Sequence, residues 1–266
     1  MYILEQTDPP LAVFILRADL APGLWETVLT PPGGPDGWEM EGITVPRFLE
    51  EQGCRAAVNG GPFDPYRYLL SREGQDVSGL YVWEGRVISE PLKDFFALVL
   101  DGEGHPSIRS QEEVRKEIRN ASEGEGGGTA AAPIRDSGSG GIRFASGGFQ
   151  KLLTRGIPEP QKYTWRDART ALGISRDGGT LYLLVADGRR EGWSRGLTLE
   201  ETGEWLALAG AWEGLNLDGG GSSILVLADG ENRPRVVNRP VNHRGFPVRI
   251  VATHIGLRRR VPGAGE

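Results

Sequence analysis

The stretch Leu215–Leu227, LNLDGGGSSILVL, decides how the chain is read. Three glycines and two serines have the composition of a linker, yet apolar runs flank them, and each run has the length and residue types of a strand. Alternation along the first strand sends Leu215 and Leu217 to one side and Asn216 and Asp218 to the other. With the leucines toward a core, an amide and a carboxylate emerge together. They do so where Gly219, Gly220 and Gly221 let the backbone turn sharply and bring its N–H groups close to a ligand. Ser222 and Ser223 then add hydroxyls at the entry to the next strand. The segment therefore reads as a binding loop held between two buried strands. Asp-Gly occurs six times in the chain, and most occurrences are plain turns. Asp218 differs in having Asn216 before it and two glycines more than a hairpin needs.

Two other segments end an apolar run in a polar residue followed by glycine: AAVNGG, with Asn59, Gly60 and Gly61, and LYLLVADG, with Asp187. The three ends meet in one cleft if their strands are neighbours. Further strands are expected in LAVFILRADL, SGLYVWEGRVIS, DFFALVLDGEG, IRFASGGFQKLL and VRIVATHIGL, where β-branched and aromatic residues lie between Gly, Pro and Asp punctuation. WEGRV predicts a hairpin turn, and Asp177-Gly178-Gly179 predicts another. SQEEVRKEIRN predicts a short surface helix, and GLTLEETGEWLALAG a longer one with Thr198 as N-cap, Glu201 as its capping-box partner and Gly210 or Gly214 as its stop. Residues 122–141 are too rich in Gly, Ser and Ala to support a core, so residues 110–141 read as a mobile insertion. The expected class is α+β, with mixed β-sheets and a few packed helices in a single domain spanning 1–266.

Composition narrows the function. A chain of 266 residues with 38% hydrophobic content buries a full core. A net charge of -6 argues against nucleic acid or an anionic membrane as the main partner. Only four of the 30 basic residues are lysines, so local positive charge comes from arginine, which grips phosphate and carboxylate through a planar fork. The single cysteine, Cys54, cannot form an internal disulfide and reads as a small buried hydrophobe. No run reaches the length of a membrane span, and the N-terminal residues carry no secretory signal, so the expectation is a cytoplasmic location. No lysine follows the glycines as in a phosphate-binding loop, the alternating ligands of an EF-hand are absent, and no G-x-S-x-G elbow occurs. His105, His243 and His254 have no metal-ligand spacing. His254, in the apolar VATHIGL, reads as a core residue.

The pieces VNGGPF (58–63), SGG (146–148), RTALGI (169–174), LYLLVADGR (181–189), SRGLTLEE (194–201), LNLDGGGSS (215–223) and VVNRP (236–240), in this order, resemble the phosphodiester glycosidase family. The resemblance implies hydrolysis of a sugar joined through its anomeric carbon to a phosphodiester, with an α-linked (N-acetyl)hexosamine phosphate as the substrate type. It also includes many exported proteins, which opposes the cytoplasmic expectation. A phosphate leaving group asks for charge neutralisation more than for a strong acid, and the anomeric centre asks for a carboxylate. Asp218 is the first candidate for that carboxylate, with Asp187 or Glu200 as a second. Arg169, Arg195, Arg239 and Arg249 are candidate phosphate clamps, and Asn59, Asn216 and Asn238 candidate sugar ligands. Trp165, Trp193, Trp205 and Trp212 could stack on sugars, although Trp205 and Trp212 also suit packing of the second helix. No cofactor is required by the sequence. A divalent cation, calcium or magnesium, would find hard oxygen ligands at Asp218, Asp187 and backbone carbonyls. Two other readings remain open: a non-catalytic protein binding carbohydrate or exopolysaccharide, and a metal-dependent phosphodiesterase cleaving the P–O bond.

Overall fold

The strand Thr180–Ala186, TLYLLVA, is buried at every position, and its side chains feed two different cores. Leu181, Leu183 and Val185 join a central cluster, while Tyr182, Leu184 and Ala186 join a second cluster on the opposite face. An alternation this apolar requires cover on both sides. In the computed structural model, which describes residues 2–7, 9–20, 24–64, 74–123, 141–241 and 248–260, that strand lies inside a seven-stranded sheet. The sheet runs Tyr2–Thr7, Pro10–Asp19, Thr180–Ala186, Arg169–Ile174, Glu213–Asn216, Lys151–Thr154, Ile157–Pro158.

Two five-stranded sheets enclose the central cluster with it. One runs Arg86–Ser89, Tyr81–Trp83, Ile142–Gly147, Phe96–Asp101, Pro106–Ser110; the other runs Pro234–Val236, Leu225–Ala228, Ala56–Asn59, His254–Arg259, Trp25–Leu29. Each of the three sheets carries a helix. Helix α1 (Val45–Glu51) sends Val45, Phe48 and Leu49 into the central cluster beside Ala57 and Val58. Helix α2 (Gln111–Glu123) packs Val114 and Ile118 against Val82, Ala97 and Val99. Helix α3 (Leu199–Ala209) covers the second face of the seven-stranded sheet through Leu199 and Leu206. No described helix is long and apolar enough to cross a membrane.

The α+β class expected from the sequence is what the structure shows. The sheets differ in one respect, because every ladder among the described residues is antiparallel where mixed sheets were expected. Parallel neighbours need long crossovers, whereas short turns join many of these strands. Glu84 and Gly85, with φ of 47° and 73°, make the WEGRV hairpin, and Gly178 at φ 72° helps turn the chain between Ile174 and Thr180. The capping box at Thr198 and Glu201 forms as the sequence predicts, and Gly210, at φ 100°, closes α3. Within the expected insertion, α2 is an ordered part of the fold. The fully buried Gln111 donates through Nε2 to the carbonyls of Phe96 and Gly148, and its Oε1 accepts from the N–H groups of Leu80 and Leu92. The rest of that segment, residues 124–140, lies outside the described residues.

His254 is the core residue its apolar context predicts. It stacks on Phe48 at 4.6 Å, its Nδ1 meets Thr30 Oγ1 at 3.0 Å, and burial pushes its pKa down to about 3. His105 sits on the surface beside Asp101, and His243 lies outside the described residues. Gly60 and Gly61 mark the seam between sheets. A Cβ on Gly61 would stand 1.9 Å from the Gly147 carbonyl oxygen, and one on Gly60 would stand 2.4 Å from Thr253 Oγ1. Gly61→Ala should therefore destabilise the protein by about 3 kcal/mol or more, because backbone rather than a mobile side chain must yield. Gly230→Ala, at a position with open space around it, is the control. Urea midpoints that move equally in both variants would refute the seam.

Candidate active site

Where the strand Glu213–Asn216 ends, the chain passes Leu217 and Asp218 and enters a 3-10 turn, Gly220–Ser222, with Gly220 at φ 59°. Leu215 and Leu217 point into the central cluster, as alternation predicts. Asn216, Leu217, Asp218 and the three glycines line a cleft of about 760 Å³. The cleft has two kinds of wall. Asp167, Arg169, Arg189 and Arg249 lie with Asp218 on a charged side, and Phe95, Phe149, Tyr163 and Trp165 supply aromatic surface.

Asp218 is fixed through its backbone. Its N–H donates to the Gly60 carbonyl at 3.1 Å, and its own carbonyl accepts from Asn59 Nδ2 at 2.7 Å. Its carboxyl group is buried, and Oδ2 has no hydrogen-bond partner among the described residues. Burial pushes the Asp218 pKa up to about 6; the Ser222 hydroxyl, the Arg249 charge and the Gly219 N–H pull the other way, while the Asp167 charge adds to the rise. Ser222 Oγ also accepts from Arg249 Nη1 at 3.1 Å, so one hydroxyl links the carboxylate to a guanidinium. Asn216 Oδ1 is likewise buried without a partner among the described residues. Two cleft-lining residues thus each bury a side-chain oxygen without a partner among the described residues, an uncommon arrangement for buried polar atoms.

Arg169 also reaches the cleft, but its Nε donates to the Leu197 carbonyl at 3.0 Å and its Nη2 to the Trp165 carbonyl at 2.8 Å. Burial lowers its pKa below the usual arginine value, and the Asp167 charge opposes that. Trp165, held by that contact at its backbone, is 56% exposed and lies 4.6 Å from the Tyr163 ring.

Several residues expected in the site do not line the cleft. Asn59 is fully buried, and its amide ties the Asp218 carbonyl to Thr170 Oγ1 and the Ile224 N–H. Asp187 does not present a second carboxylate, because both oxygens are occupied. They accept from Trp193 Nε1 at 2.8 Å, Asn238 Nδ2 at 2.8 Å and the Arg239 N–H at 2.9 Å. Burial raises its pKa, and these three donors oppose the rise. Asn238 also bonds the Ser223 carbonyl and the Leu225 N–H, so this group braces the strand that follows the glycine loop. Arg239 spreads over the Trp193 ring at 3.5 Å. Glu200 is exposed in the first turn of α3, Arg195 is exposed, and neither lines the cleft. Ser223 is buried beneath the loop. Trp205 packs beside the α3 cluster and Trp212 beneath Arg176.

Two charged cleft residues escaped the sequence reading, Asp167 and Arg189, which form an ion pair. A signal for each was present. Asp167 stands two positions before Arg169, so strand alternation places both on one side, and Arg189 ends the segment LYLLVADGR. No group of three or more His, Cys, Asp or Glu side chains is placed to hold a metal ion among the described residues.

No curated protein matches the chain. Three of the solved structures that share its fold illustrate the likeness. The catalytic domain of zebrafish N-acetylglucosamine-1-phosphodiester alpha-N-acetylglucosaminidase, auto-inhibited by its pro-peptide, has a TM-score of 0.62 and 18% identity over 94% of this chain and 84% of that one. A Burkholderia pseudomallei protein has a TM-score of 0.64 and 18% identity over 94% and 74%. A Synechocystis protein has a TM-score of 0.60 and 14% identity over 97% and 61%. The family model for phosphodiester glycosidases matches residues 52–258, a span that contains the glycine loop, the Asp187 brace and every residue lining the cleft. The chain belongs to the phosphodiester glycosidase family.

Proposed function

We propose that the protein hydrolyses a glycosyl-1-phosphodiester and releases the sugar, with an α-linked (N-acetyl)hexosamine phosphate as the substrate type. The observation that carries the reading is Asp218: a buried carboxyl group with an unpartnered oxygen, in a cleft where three guanidinium groups face two carboxylates. The guanidinium excess matches an anionic substrate whose phosphate leaves as the C–O bond breaks. Asp218, ionised, stabilises positive charge at the anomeric carbon, activates water or attacks it. Asn216 Oδ1 accepts a hydrogen bond from the sugar, and the exposed face of Trp165 gives the ring a surface to stack on. The family and its zebrafish relative's phosphodiester substrate agree with this reading.

The test is incubation with an α-N-acetylglucosamine-1-phosphodiester, with detection of both free sugar and sugar-1-phosphate, with and without EDTA. Free sugar is expected. Sugar-1-phosphate would mean P–O cleavage, loss of product in EDTA would assign a divalent cation to the site, and sugar binding without product would make the protein a carbohydrate-binding one. Asp218→Asn should lower turnover by roughly 10³-fold or more. In the wild type, kcat/KM should rise with pH through about 6 as Asp218 loses its proton. A fall over that range would instead make Asp218 a proton donor.

Stability should carry the same signature with the opposite sense. Because the folded-state pKa is raised, the folded protein holds a proton that the unfolded chain has already released. Stability is therefore greatest below the ordinary aspartate range and declines as pH rises through about 6. Asp218→Asn removes that decline, so its stability relative to wild type should increase between pH 4 and pH 7, by up to about 3 kcal/mol. Urea midpoints across that range measure it, and an advantage that shrinks with pH would contradict the assignment.

A further inference from the structure

The three cleft arginines are not equivalent. Arg169 has two of its donor groups committed to the carbonyls of Leu197 and Trp165. Arg249 bonds Ser222, the hydroxyl that also serves Asp218. Arg189 is built differently. It stands at φ 55°, in the left-handed region that residues other than glycine rarely adopt, directly after the Asp187-Gly188 turn. Its side chain is 53% exposed, and its one ion pair among the described residues joins Nη2 to Asp167 Oδ2.

Asp167 is held more tightly than the arginine it serves. Its side chain is 12% exposed, and Oδ1 accepts from the Ala168 N–H at 2.7 Å. Its backbone forms a bridge with Leu197, at 3.1 Å and 3.0 Å. Gly196 and Gly188 press against the same peptide, each with room for no side chain: a Cβ on either would lie 2.2 Å from the Asp167 carbonyl oxygen or the Ala168 nitrogen. The Ala168 carbonyl accepts from the Gly220 N–H at 2.8 Å, which joins this support to the glycine loop. A Cβ on Gly220 would stand 3.1 Å from Arg189 Nη2 and 3.7 Å from Asp167 Oδ2, so the ion pair lies directly over that loop. A fixed carboxylate thus holds one end of a half-exposed guanidinium beside Asp218's loop, and the other N–H groups of Arg189 have no partner among the described residues. A planar fork with donors left over is what bidentate recognition of a phosphoryl group requires.

We propose that Arg189, oriented by Asp167, is the residue through which the cleft recognises the phosphoryl group of its substrate, and so sets the preference for phosphodiesters over uncharged glycosides. This deepens the glycosidase reading and rests on it for the identity of the substrate. Arg189 touches the substrate, whereas Asp167 acts through Arg189 as a positioning residue. Arg169 holds Trp165 in place, and Arg249 holds Ser222 beside Asp218.

The experiment compares wild type with Arg189→Asn, a residue that tolerates positive φ, and with Arg189→Lys, which keeps the charge but loses the fork. Thermal melts establish that each variant is folded. Two readouts follow: binding of inorganic phosphate by calorimetry at fixed ionic strength, and kcat/KM for the phosphodiester against an uncharged aryl glycoside of the same sugar. Arg189→Asn should weaken phosphate binding by about tenfold or more and lower kcat/KM for the diester by roughly a hundredfold, while the aryl glycoside changes less than about threefold. Arg189→Lys should recover only part of the loss. Asp167→Asn should raise KM for the diester with a smaller effect on kcat, and should also move the acid limb of the pH profile downward by removing a charge near Asp218. Unchanged phosphate binding in Arg189→Asn, or equal losses on both substrates, overturns the proposal while leaving the glycosidase reading standing. Phosphate binding that depends on Arg189 in a protein that releases no sugar supports the anion site and overturns the glycosidase reading instead.

Discussion

The amide of Asn59 is the contact on which the site depends. It stands at the end of a strand in one sheet, fully buried, and its long-range hydrogen bonds join the glycine loop to its supports. Nδ2 donates to the Asp218 carbonyl, while Oδ1 accepts from Thr170 in the seven-stranded sheet and from Ile224 beyond the loop. The next residue, Gly60, accepts from the Asp218 N–H. A loop of three glycines has a large conformational entropy to lose. These bonds, made where water cannot compete, offset that loss and give one conformation to a segment whose composition would otherwise favour many.

Fixing the backbone in this way lets the side chain of Asp218 be costly. A carboxylate with an unpartnered oxygen in a buried setting is destabilising when ionised, and the rise of its pKa to about 6 expresses that cost. Arg249 and Ser222 offset part of it without cancelling it. A carboxylate fully neutralised by an arginine pair would have a depressed pKa and little tendency to act at an anomeric centre. Nearby Asp187 shows the other outcome: saturated by Trp193, Asn238 and Arg239, it serves as a brace. Burial alone does not separate the two carboxylates, since both are buried and both are shifted upward by it. Hydrogen-bond saturation does.

What could be read from the sequence follows from the range of the interactions involved. The hairpin at Glu84-Gly85, the capping box at Thr198 and Glu201 and the glycine stop at Gly210 are set within a few residues and were legible. Alternation placed Leu215 and Leu217 in the core and Asn216 and Asp218 opposite them, where both line the cleft. The division of labour among the polar residues was not legible. Asp187 ends an apolar strand before a glycine much as Asp218 does, and only its partners at Trp193, Asn238 and Arg239 distinguish it. Two of these lie some fifty residues away in the chain. Glu200 and Arg195 sit among motif residues in the sequence yet do not line the cleft, Glu200 on the exposed side of α3 and Arg195 exposed in the segment before it.

Four buried amide side chains show how the fold and the site share one set of rules. Gln111 makes four hydrogen bonds to backbone groups, Asn59 makes four to backbone and Thr170, and Asn238 makes three, and each joins segments far apart in the chain. All three could be mistaken for ligand-binding residues on chemistry and burial alone. Asn216 is also buried but keeps an oxygen unpartnered among the described residues, and of these four it is the one that lines the cleft. An unsatisfied buried acceptor costs about 1–3 kcal/mol, a cost that the saturated amides elsewhere can sustain only if they hold the surrounding backbone in place. The rigidity around the glycine loop and the incompleteness within it are therefore one property: Asn59 and Asn238 hold the backbone on either side of the loop, and the fixed backbone leaves Asn216 Oδ1 and Asp218 Oδ2 without partners among the described residues.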